Sequence, residues 1–342
     1  MKRTGNLFDQ VVTWENLRLA LGKALRRKRT RAEVREFCRR TDQHLAEMGD
    51  QLRQGTFPFG RCHKFLIRDP KERLITAPCF PERVVHHAIM NVCEPVLERW
   101  LVHDTYACRT GRGRDAAVQR ARHYAQRHPC FLKLDVRKYF PSISHSVLLS
   151  RLERVFKDAR LLELFYQIIS SFQGATGRGL PIGALTSQHF ANFYLGWCDR
   201  FVKETLRAPG YVRYMDDMLL WDETSGGLHG MLGGVREFLD DSLELQLKPF
   251  PYLNRSQHGV DFLGCRVFPD HVVLNRRSRV RFRRRLWELE TRYLDEQITE
   301  LELQTRATAL VAFTQAAGVK SWHFRRAVLQ RLPVSGRRPG TG

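Results

Sequence analysis

What the chain lacks narrows it first. Its eight cysteines (Cys38, Cys62, Cys79, Cys93, Cys108, Cys130, Cys198 and Cys265) include no pair at C-x-x-C spacing. They suit neither a disulfide framework nor a zinc module, and read as reduced thiols in a reducing compartment. His86-His87 and the remaining histidines have no partners at metal spacing, so structural roles are expected of them. No apolar run approaches the roughly 20 residues that span a bilayer. The start, Met1-Lys2-Arg3-Thr4-Gly5-Asn6, leads into polar sequence rather than a signal-peptide core. No internal repeat is visible. Acidic residues are in deficit: 36 Asp plus Glu stand against 57 Lys plus Arg, a net charge of +21. That imbalance points to a polyanionic partner, and without a membrane span the expectation is cytosolic nucleic acid.

What is present is ample for a large core or two to three subdomains: 342 residues, 43% of them hydrophobic. Residues 14–53 read as helical and basic, with clusters at Arg26-Arg27-Lys28-Arg29 and Arg39-Arg40 dense enough to favour phosphate contact. Cys62–Ile67 and Arg73–Thr76 flank Arg68-Asp69-Pro70-Lys71-Glu72, a strand-turn-strand pattern. From Pro81, Val84, Val85, Ala88, Ile89, Val92, Cys93, Val96 and Leu97 make one broad helical stripe, with a bend expected at Pro95. Gly111, Gly113 and Ala116 fit a degenerate G-x-G-x-x-A, but no βαβ unit surrounds them. An arginine-studded backbone-phosphate loop, with Arg109 and Arg112, is the simpler reading.

Phe131–Asp135 reads as a strand ending in a carboxylate, followed by one helix from about Ser144 to Phe172. A glycine-rich stretch, Gly174–Gly183, precedes a helix starting near Ser187, with Phe190, Tyr194, Trp197 and Phe201 on one face. Gly226–Gly234 reads as a connection leading to a helix that ends near Leu243. Val260–Phe268 and His271–Leu274 read as a hairpin turning at Pro269-Asp270, and seven arginines between 276 and 285 open a helical C-terminal region.

The chemistry centres on Tyr211-Val212-Arg213-Tyr214-Met215-Asp216-Asp217-Met218-Leu219-Leu220-Trp221. Two apolar, β-favouring runs flank adjacent acids, which reads as a tight hairpin lifting two carboxylates to its tip. Taken alone, such a pair is more often an exposed acidic turn. If the strand ending at Asp135 is its neighbour in one antiparallel sheet, three carboxylates converge. They then hold two Mg²⁺ ions about 4 Å apart, the arrangement for in-line phosphoryl transfer onto a 3′-hydroxyl. Aspartate suits Mg²⁺, which takes hard oxygen ligands in tight octahedral geometry.

Tyr214-Met215-Asp216-Asp217 together with Leu134-Asp135-Val136-Arg137-Lys138-Tyr139-Phe140-Pro141-Ser142-Ile143 resembles the catalytic motifs of reverse transcriptases. Gly179-Leu180-Pro181-Ile182-Gly183-Ala184-Leu185-Thr186-Ser187-Gln188 is similar to the corresponding motif of the enzymes from diversity-generating retroelements. Retroviral and intron enzymes usually carry Gln-Gly-x-x-x-Ser-Pro there. His103–Arg109 and Asn6–Leu17 also resemble that family. The resemblance implies an RNA-directed DNA polymerase that copies a template-repeat RNA into cDNA with errors at adenines. It also implies an α+β right-hand fold, with fingers, palm and thumb and an antiparallel palm sheet backed by helices.

The implied parts are an N-terminal helical region with fingers (1–100), palm (101–144), further fingers (145–180), further palm with a primer-grip hairpin (181–273), a basic thumb (274–333) and a disordered tail (334–342). Asp135, Asp216 and Asp217, with the Val136 carbonyl, would bind two Mg²⁺, for which Mn²⁺ could substitute. Phe140 would exclude a ribose 2′-hydroxyl, though a core aromatic is the alternative. Arg73 would contact the incoming triphosphate, with Arg68 and Lys71 as further candidates. Ile182 would pack beside the nascent base pair, or be a plain packed residue; Gln188 and Asn192 would support the same pocket. Lys248 would help protonate pyrophosphate. Phe262, Leu263 and Gly264 would form the primer grip, with Gly264 allowing close approach to the primer. Arg276, Arg277, Arg281 and Arg284 would hold the phosphates of an RNA–DNA hybrid.

Implied partners are the template RNA, its cDNA hybrid, deoxynucleoside triphosphates and a small basic oligomeric accessory protein, in a bacterial or phage-infected cytoplasm. Two other readings stand beside this one. One is a reverse transcriptase of a retron, group II intron or phage-defence system. The other is a non-catalytic RNA-binding protein on a polymerase fold.

Overall fold

The structure, a computed structural model, describes residues 2–68, 72–172 and 177–330. Lys71, Gly174 and the tail from 331 lie outside the described residues. The chain opens with four helices, α1 (Phe8–Val11), α2 (Trp14–Ala24), α3 (Ala32–Arg39) and α4 (Thr41–Gln54). The Thr13 hydroxyl caps α2 by accepting from the Asn16 amide, and Leu17, Ala20, Leu21 and Ala24 form its buried stripe. Strands β1 (Cys62–Arg68) and β2 (Glu72–Pro78) then pair antiparallel, as the strand-turn-strand pattern predicts. The long helix α5 (Phe80–Trp100) follows, with Pro81 tolerated in its first turn and the predicted apolar stripe buried, except for a half-buried Val92. Asn16 of α2 donates to the Ala88 carbonyl of α5 at 3.0 Å, so the basic N-terminal helices are docked on the core.

The middle of the chain builds one four-stranded antiparallel sheet. After α6 (Arg114–Arg127) come β3 (Cys130–Asp135), α7 (Tyr139–Ser142), α8 (His145–Glu153), α9 (Ala159–Ser170) and α10 (Leu185–Arg200). Next are β4 (Gly210–Tyr214), β5 (Asp217–Asp222), α11 (Ser225–Leu243) and β6 (Tyr252–Arg255). The strand order is β4-β5-β3-β6. Both faces are covered, which explains the unbroken apolar run Met218–Trp221. Leu132, Leu134, Met218 and Leu220 pack into the main core. Phe131, Leu219 and Trp221 pack on the other side with Val118, Ala121 and Tyr124 of α6. Strands buried on both faces lose the usual alternation of apolar and polar residues.

A third sheet, β7 (Val260–Phe262), β8 (Cys265–Val267) and β9 (Val272–Leu274), is antiparallel throughout and leads into α12 (Arg276–Leu294), α13 (Glu300–Thr314) and α14 (Gly318–Leu329). On α12, Ser278, Phe282 and Leu286 recur every four residues as the buried stripe, leaving Arg276 and Arg277 outward. Among the described residues no helix is long and apolar enough to cross a membrane, and no two cysteines are joined.

The structure corrects three expected elements. The single helix over 144–172 is two: the first ends at Glu153, and Asp158 caps the second, its carboxylate accepting from the amides of Leu161, Leu7 and Phe8. Gly226–Gly234 is helical rather than a connection, since Leu228, Val235, Leu239 and Leu243 bury a stripe whose packing outweighs the cost of its glycines. The helix expected to start near Ser187 is present, from Leu185. Val260–Phe268 is not one strand: Leu263 (φ 49°) and Gly264 (φ 82°) turn it back on itself. Positive φ at both central residues is the signature of a two-residue hairpin.

Candidate active site

Strands β3 and β5 are direct neighbours, and their register sets Asp135 opposite Asp217. Asp216 occupies the two-residue turn between β4 and β5, so three carboxylates collect at one sheet edge. The turn is tight enough to hold Met215 at φ 55°, a conformation a side-chain-bearing residue adopts at a cost of about 1–2 kcal/mol. Val136 bridges to Leu247, but the bridge uses the Arg137 amide and the Asp135 carbonyl. The Val136 carbonyl itself is not engaged in those bonds.

Two lysines stand over these acids. Lys248 Nζ bonds Asp135 Oδ2. Lys133 Nζ donates to Asp217 Oδ2 at 3.1 Å and to the Asp261 carbonyl of β7 at 2.8 Å. Lys133 has no part in the expected site. Its signal was a cation two residues before Asp135 in an apolar strand, hence on the same face. Burial pushes the Asp217 carboxyl up to about 6; the charges of Asp135 and Asp216 add to this and Lys133 opposes it. Asp216 is also raised, by burial and then by Asp135, while Lys248 and Arg73 pull it down. The Arg73 charge therefore reaches the site from β2.

Asp135 Oδ1 and Asp217 Oδ1 are buried without a hydrogen-bond partner. An unsatisfied buried carboxylate oxygen is costly, and a hard divalent cation is what such a pair lacks. The donor set therefore fits Mg²⁺. Among the described residues, no group of three or more His, Cys, Asp or Glu side chains is placed to hold a metal ion as it stands, so the three carboxylates would have to draw together around one. The two ammonium groups currently supply the compensating charge.

The expected nucleotide-facing residues fall into distinct settings. Arg73 is exposed on β2, whereas Arg68 is paired with Glu72 at 2.9 Å. The Ile182 carbonyl accepts from the Thr76 amide at 2.8 Å, which pins its loop to β2. Gly183 (φ 128°) makes this docking possible, because a Cβ there would lie 2.9 Å from the Thr76 carbonyl oxygen. Phe140 is half-buried against the main core, edge-on to Tyr139 at 5.7 Å. Gln188 is exposed and accepts from the Cys108 thiol at 3.7 Å. Asn192 does not join that surface: it is buried, donating to the Ala107 carbonyl at 2.8 Å.

The other expected contacts divide similarly. Phe262 is buried, and Leu263 is held by Arg114, whose Nε donates to its carbonyl at 2.8 Å. Gly264 is close not to open space but to the C-terminal helices: a Cβ would meet Ser278 Oγ at 2.7 Å and Phe313 at 3.1 Å. Arg109 is removed from the set of backbone-binding arginines. Its side chain is 7% exposed and donates to the Val102 and Thr105 carbonyls at 2.7 and 2.9 Å. Arg112 bonds the His103 carbonyl at 2.6 Å and lies over Tyr106. Arg276 and Arg277 are exposed, Arg284 is exposed beside Glu288 at 3.3 Å, and Arg281 is half-buried.

Sequence reasoning also missed a buried ion pair under the hairpin. Arg213 of β4 and Asp199 of α10 meet at 2.6 Å with both side chains fully buried. A charge inside the run Tyr211-Val212-Arg213-Tyr214 was the visible signal; its partner, on another element, was not.

Residues 68–267, more than half of the chain, match the family model described as reverse transcriptase (RNA-dependent DNA polymerase). The chain belongs to the reverse transcriptase family. Its α+β architecture is accordingly the right-hand polymerase fold of that family. Among curated relatives, the group II intron-encoded protein LtrA of Lactococcus lactis subsp. cremoris is 22% identical over 171 residues, 47% of this chain and 28% of that protein. Protein YkfC of Escherichia coli is 23% identical over 259 residues, 61% of this chain and 65% of that one. The mitochondrial nuclear intron maturase 4 of Arabidopsis thaliana is 27% identical over 168 residues, 47% of this chain and 21% of the maturase. The chain thus spans less than two thirds of each of these relatives. Among solved structures, an apo telomerase from Candida tropicalis superposes with a TM-score of 0.48 at 10% identity, over 64% of this chain and 49% of that one.

Proposed function

We propose that this reverse transcriptase is an RNA-directed DNA polymerase of the diversity-generating type, copying a template-repeat RNA into adenine-mutagenised cDNA. The observation that carries the catalytic reading is the register of Asp135 against Asp217 with Asp216 in the adjoining turn. In this reading Asp135, Asp216, Asp217 and the Val136 carbonyl hold two Mg²⁺ ions, with Mn²⁺ as a substitute. The chemistry such ions would supply when held by these residues is activation of the primer 3′-hydroxyl and neutralisation of the triphosphate charge. Arg73 binds the triphosphate from β2. Lys248, freed from Asp135, donates a proton to the departing pyrophosphate. The half-buried Phe140 ring lies under the sugar and rejects a 2′-hydroxyl.

The subtype rests on Ile182 and Gln188. Ile182 can pack against a base pair but cannot hydrogen-bond it, which loosens the geometric check on pairing. Gln188 supports the same pocket. The β7–β8 hairpin with Phe262, Leu263 and Gly264 steadies the primer, and Arg276, Arg277, Arg281 and Arg284 face the hybrid's phosphates. Residues 1–100 and 145–180 serve as fingers, 101–144 and 181–273 as palm, and 274–333 as thumb. A small basic accessory protein and a cytoplasmic setting in a bacterium or its phage complete the proposal. A second reading, an intron-type enzyme, draws support from the intron-encoded relatives.

Primer extension on an RNA template with Mg²⁺ tests the activity. The wild type should extend, and Asp216→Asn with Asp217→Asn should not; an inert wild type would favour a non-catalytic RNA-binding protein. Sequencing the cDNA tests the subtype. Errors should concentrate opposite template adenine and fall in Ile182→Gln, whereas an even spectrum would favour the intron-type enzyme.

A further inference from the structure

We propose that Arg213 is a positioning residue that fixes the Met215–Asp216 peptide and thereby aims the Asp216 carboxylate. The proposal rests on the reading of Asp216 as a metal ligand. A guanidinium carries five N–H donors in a rigid planar fork, and here each has an acceptor. Nε donates to Asp199 Oδ1 at 2.6 Å. Nη2 donates to Asp199 Oδ2 at 2.7 Å and to the Asn192 carbonyl at 2.9 Å. Nη1 donates to Asn192 Oδ1 at 3.0 Å and to the Met215 carbonyl at 2.9 Å.

Four of these bonds lock the fork to α10, and the fifth reaches the hairpin tip. Asp199 is itself held by the Tyr211 hydroxyl at 2.6 Å and the Thr105 hydroxyl at 2.7 Å, so the anchor has little freedom. The Asn192 side chain also donates to the Ala107 carbonyl, joining the loop before α6 to the same network.

The tip needs such a hold. Met215 stands at positive φ, which an unrestrained L-residue leaves for a lower-energy conformation. A peptide unit is planar, so fixing the Met215 oxygen fixes the direction of the Asp216 N–H on the other side of the same plane. The Asp216 carboxylate springs from the Cα that closes that same plane. Its direction is therefore inherited from Arg213. Stability alone is a poor reason for the pair, because a buried ion pair is often matched or exceeded by apolar residues of similar volume.

The test separates folding from aim. Asp199→Leu combined with Arg213→Met removes both charges together, leaving no unpaired ion in the core. Arg213→Lys keeps the charge but cannot reach both Asp199 and Met215. Mn²⁺ alone is titrated onto each protein without nucleic acid, and melting is followed in parallel. The double variant also leaves the buried Tyr211 and Thr105 hydroxyls without their acceptor, so it should melt below wild type, and Mn²⁺ binding is compared at a temperature where every variant is folded. Both variants should bind Mn²⁺ about tenfold or more weakly, and primer extension should lose kcat with little change in the KM for nucleotide. A folded variant of either kind with wild-type Mn²⁺ affinity would overturn the proposal. An inactive wild type would instead count against the polymerase reading, and the Mn²⁺ comparison would still decide the role of Arg213.

Discussion

Asp135 and Asp217 face each other across two paired strands, and each has one carboxylate oxygen on a lysine and the other without a partner. The arrangement is half-neutralised. Each acid keeps enough compensation to remain in a folded chain and enough unmet capacity to take a cation.

Asp217 should therefore limit stability at neutral pH. Its folded pKa of about 6 lies above the ordinary 3.8. The fold is favoured by this group below the unfolded value, and that contribution is lost as pH rises from about 4 through about 6. Asp217→Asn in the presence of a chelator should raise the melting temperature by a few degrees at pH 7.5. The advantage should shrink as pH is lowered towards 4, and added Mn²⁺ should stabilise the wild type more than the variant. A variant that melts at or below wild type at pH 7.5 would count against this account.

Phe140→Ala should lower the preference for deoxy- over ribonucleotides on the order of 100-fold, read as the ratio of kcat/KM values. The half-packed ring also predicts a modest fall in melting temperature. A fall in melting temperature with unchanged sugar selectivity would leave Phe140 as a core aromatic only.

Gly264→Ala should destabilise by about 1–3 kcal/mol, through positive φ and the collision with Ser278. Adding Ser278→Gly removes the collision but not the backbone strain, so it should restore only part of the loss in chemical denaturation.

Arg276→Ala with Arg277→Ala should weaken binding to an RNA–DNA hybrid similarly for all sequences. The slope of log affinity against log salt should become shallower by about 0.9 for each phosphate no longer neutralised. Arg109→Ala should do the opposite, lowering the melting temperature while leaving that slope alone, because its donors are used by the Val102 and Thr105 carbonyls. Equal slopes in the Arg276/Arg277 variant and wild type would remove α12 from the phosphate-binding surface.

The sequence made the carboxylates legible because strand-end position and the turn are local properties. Asp135 closes an apolar strand, and Asp216-Asp217 sit between two. The β1–β2 hairpin and the α5 stripe were readable on the same grounds. What escaped was either non-local or a contest between local signals. The partners of Arg109 are backbone carbonyls brought together by a loop, so its charge looked available. Asp199 and Arg213 lie on separate elements, and nothing in the spacing joins them. At Gly226–Gly234 glycine content argued for a loop while the Leu228–Leu243 stripe argued for a helix, and packing prevailed. At Leu263-Gly264 an apolar residue in a turn hid the reversal. Lys133 was visible as a cation in a buried strand, yet only the β3–β5 register shows which acid it meets.

The bond from the Thr76 amide to the Ile182 carbonyl has a mechanical reading. It makes the strand carrying Arg73 and the loop carrying Ile182 two ends of one lever, with Gly183 as the flat seat between them. Movement of that strand is thereby coupled to movement of the Ile182 loop.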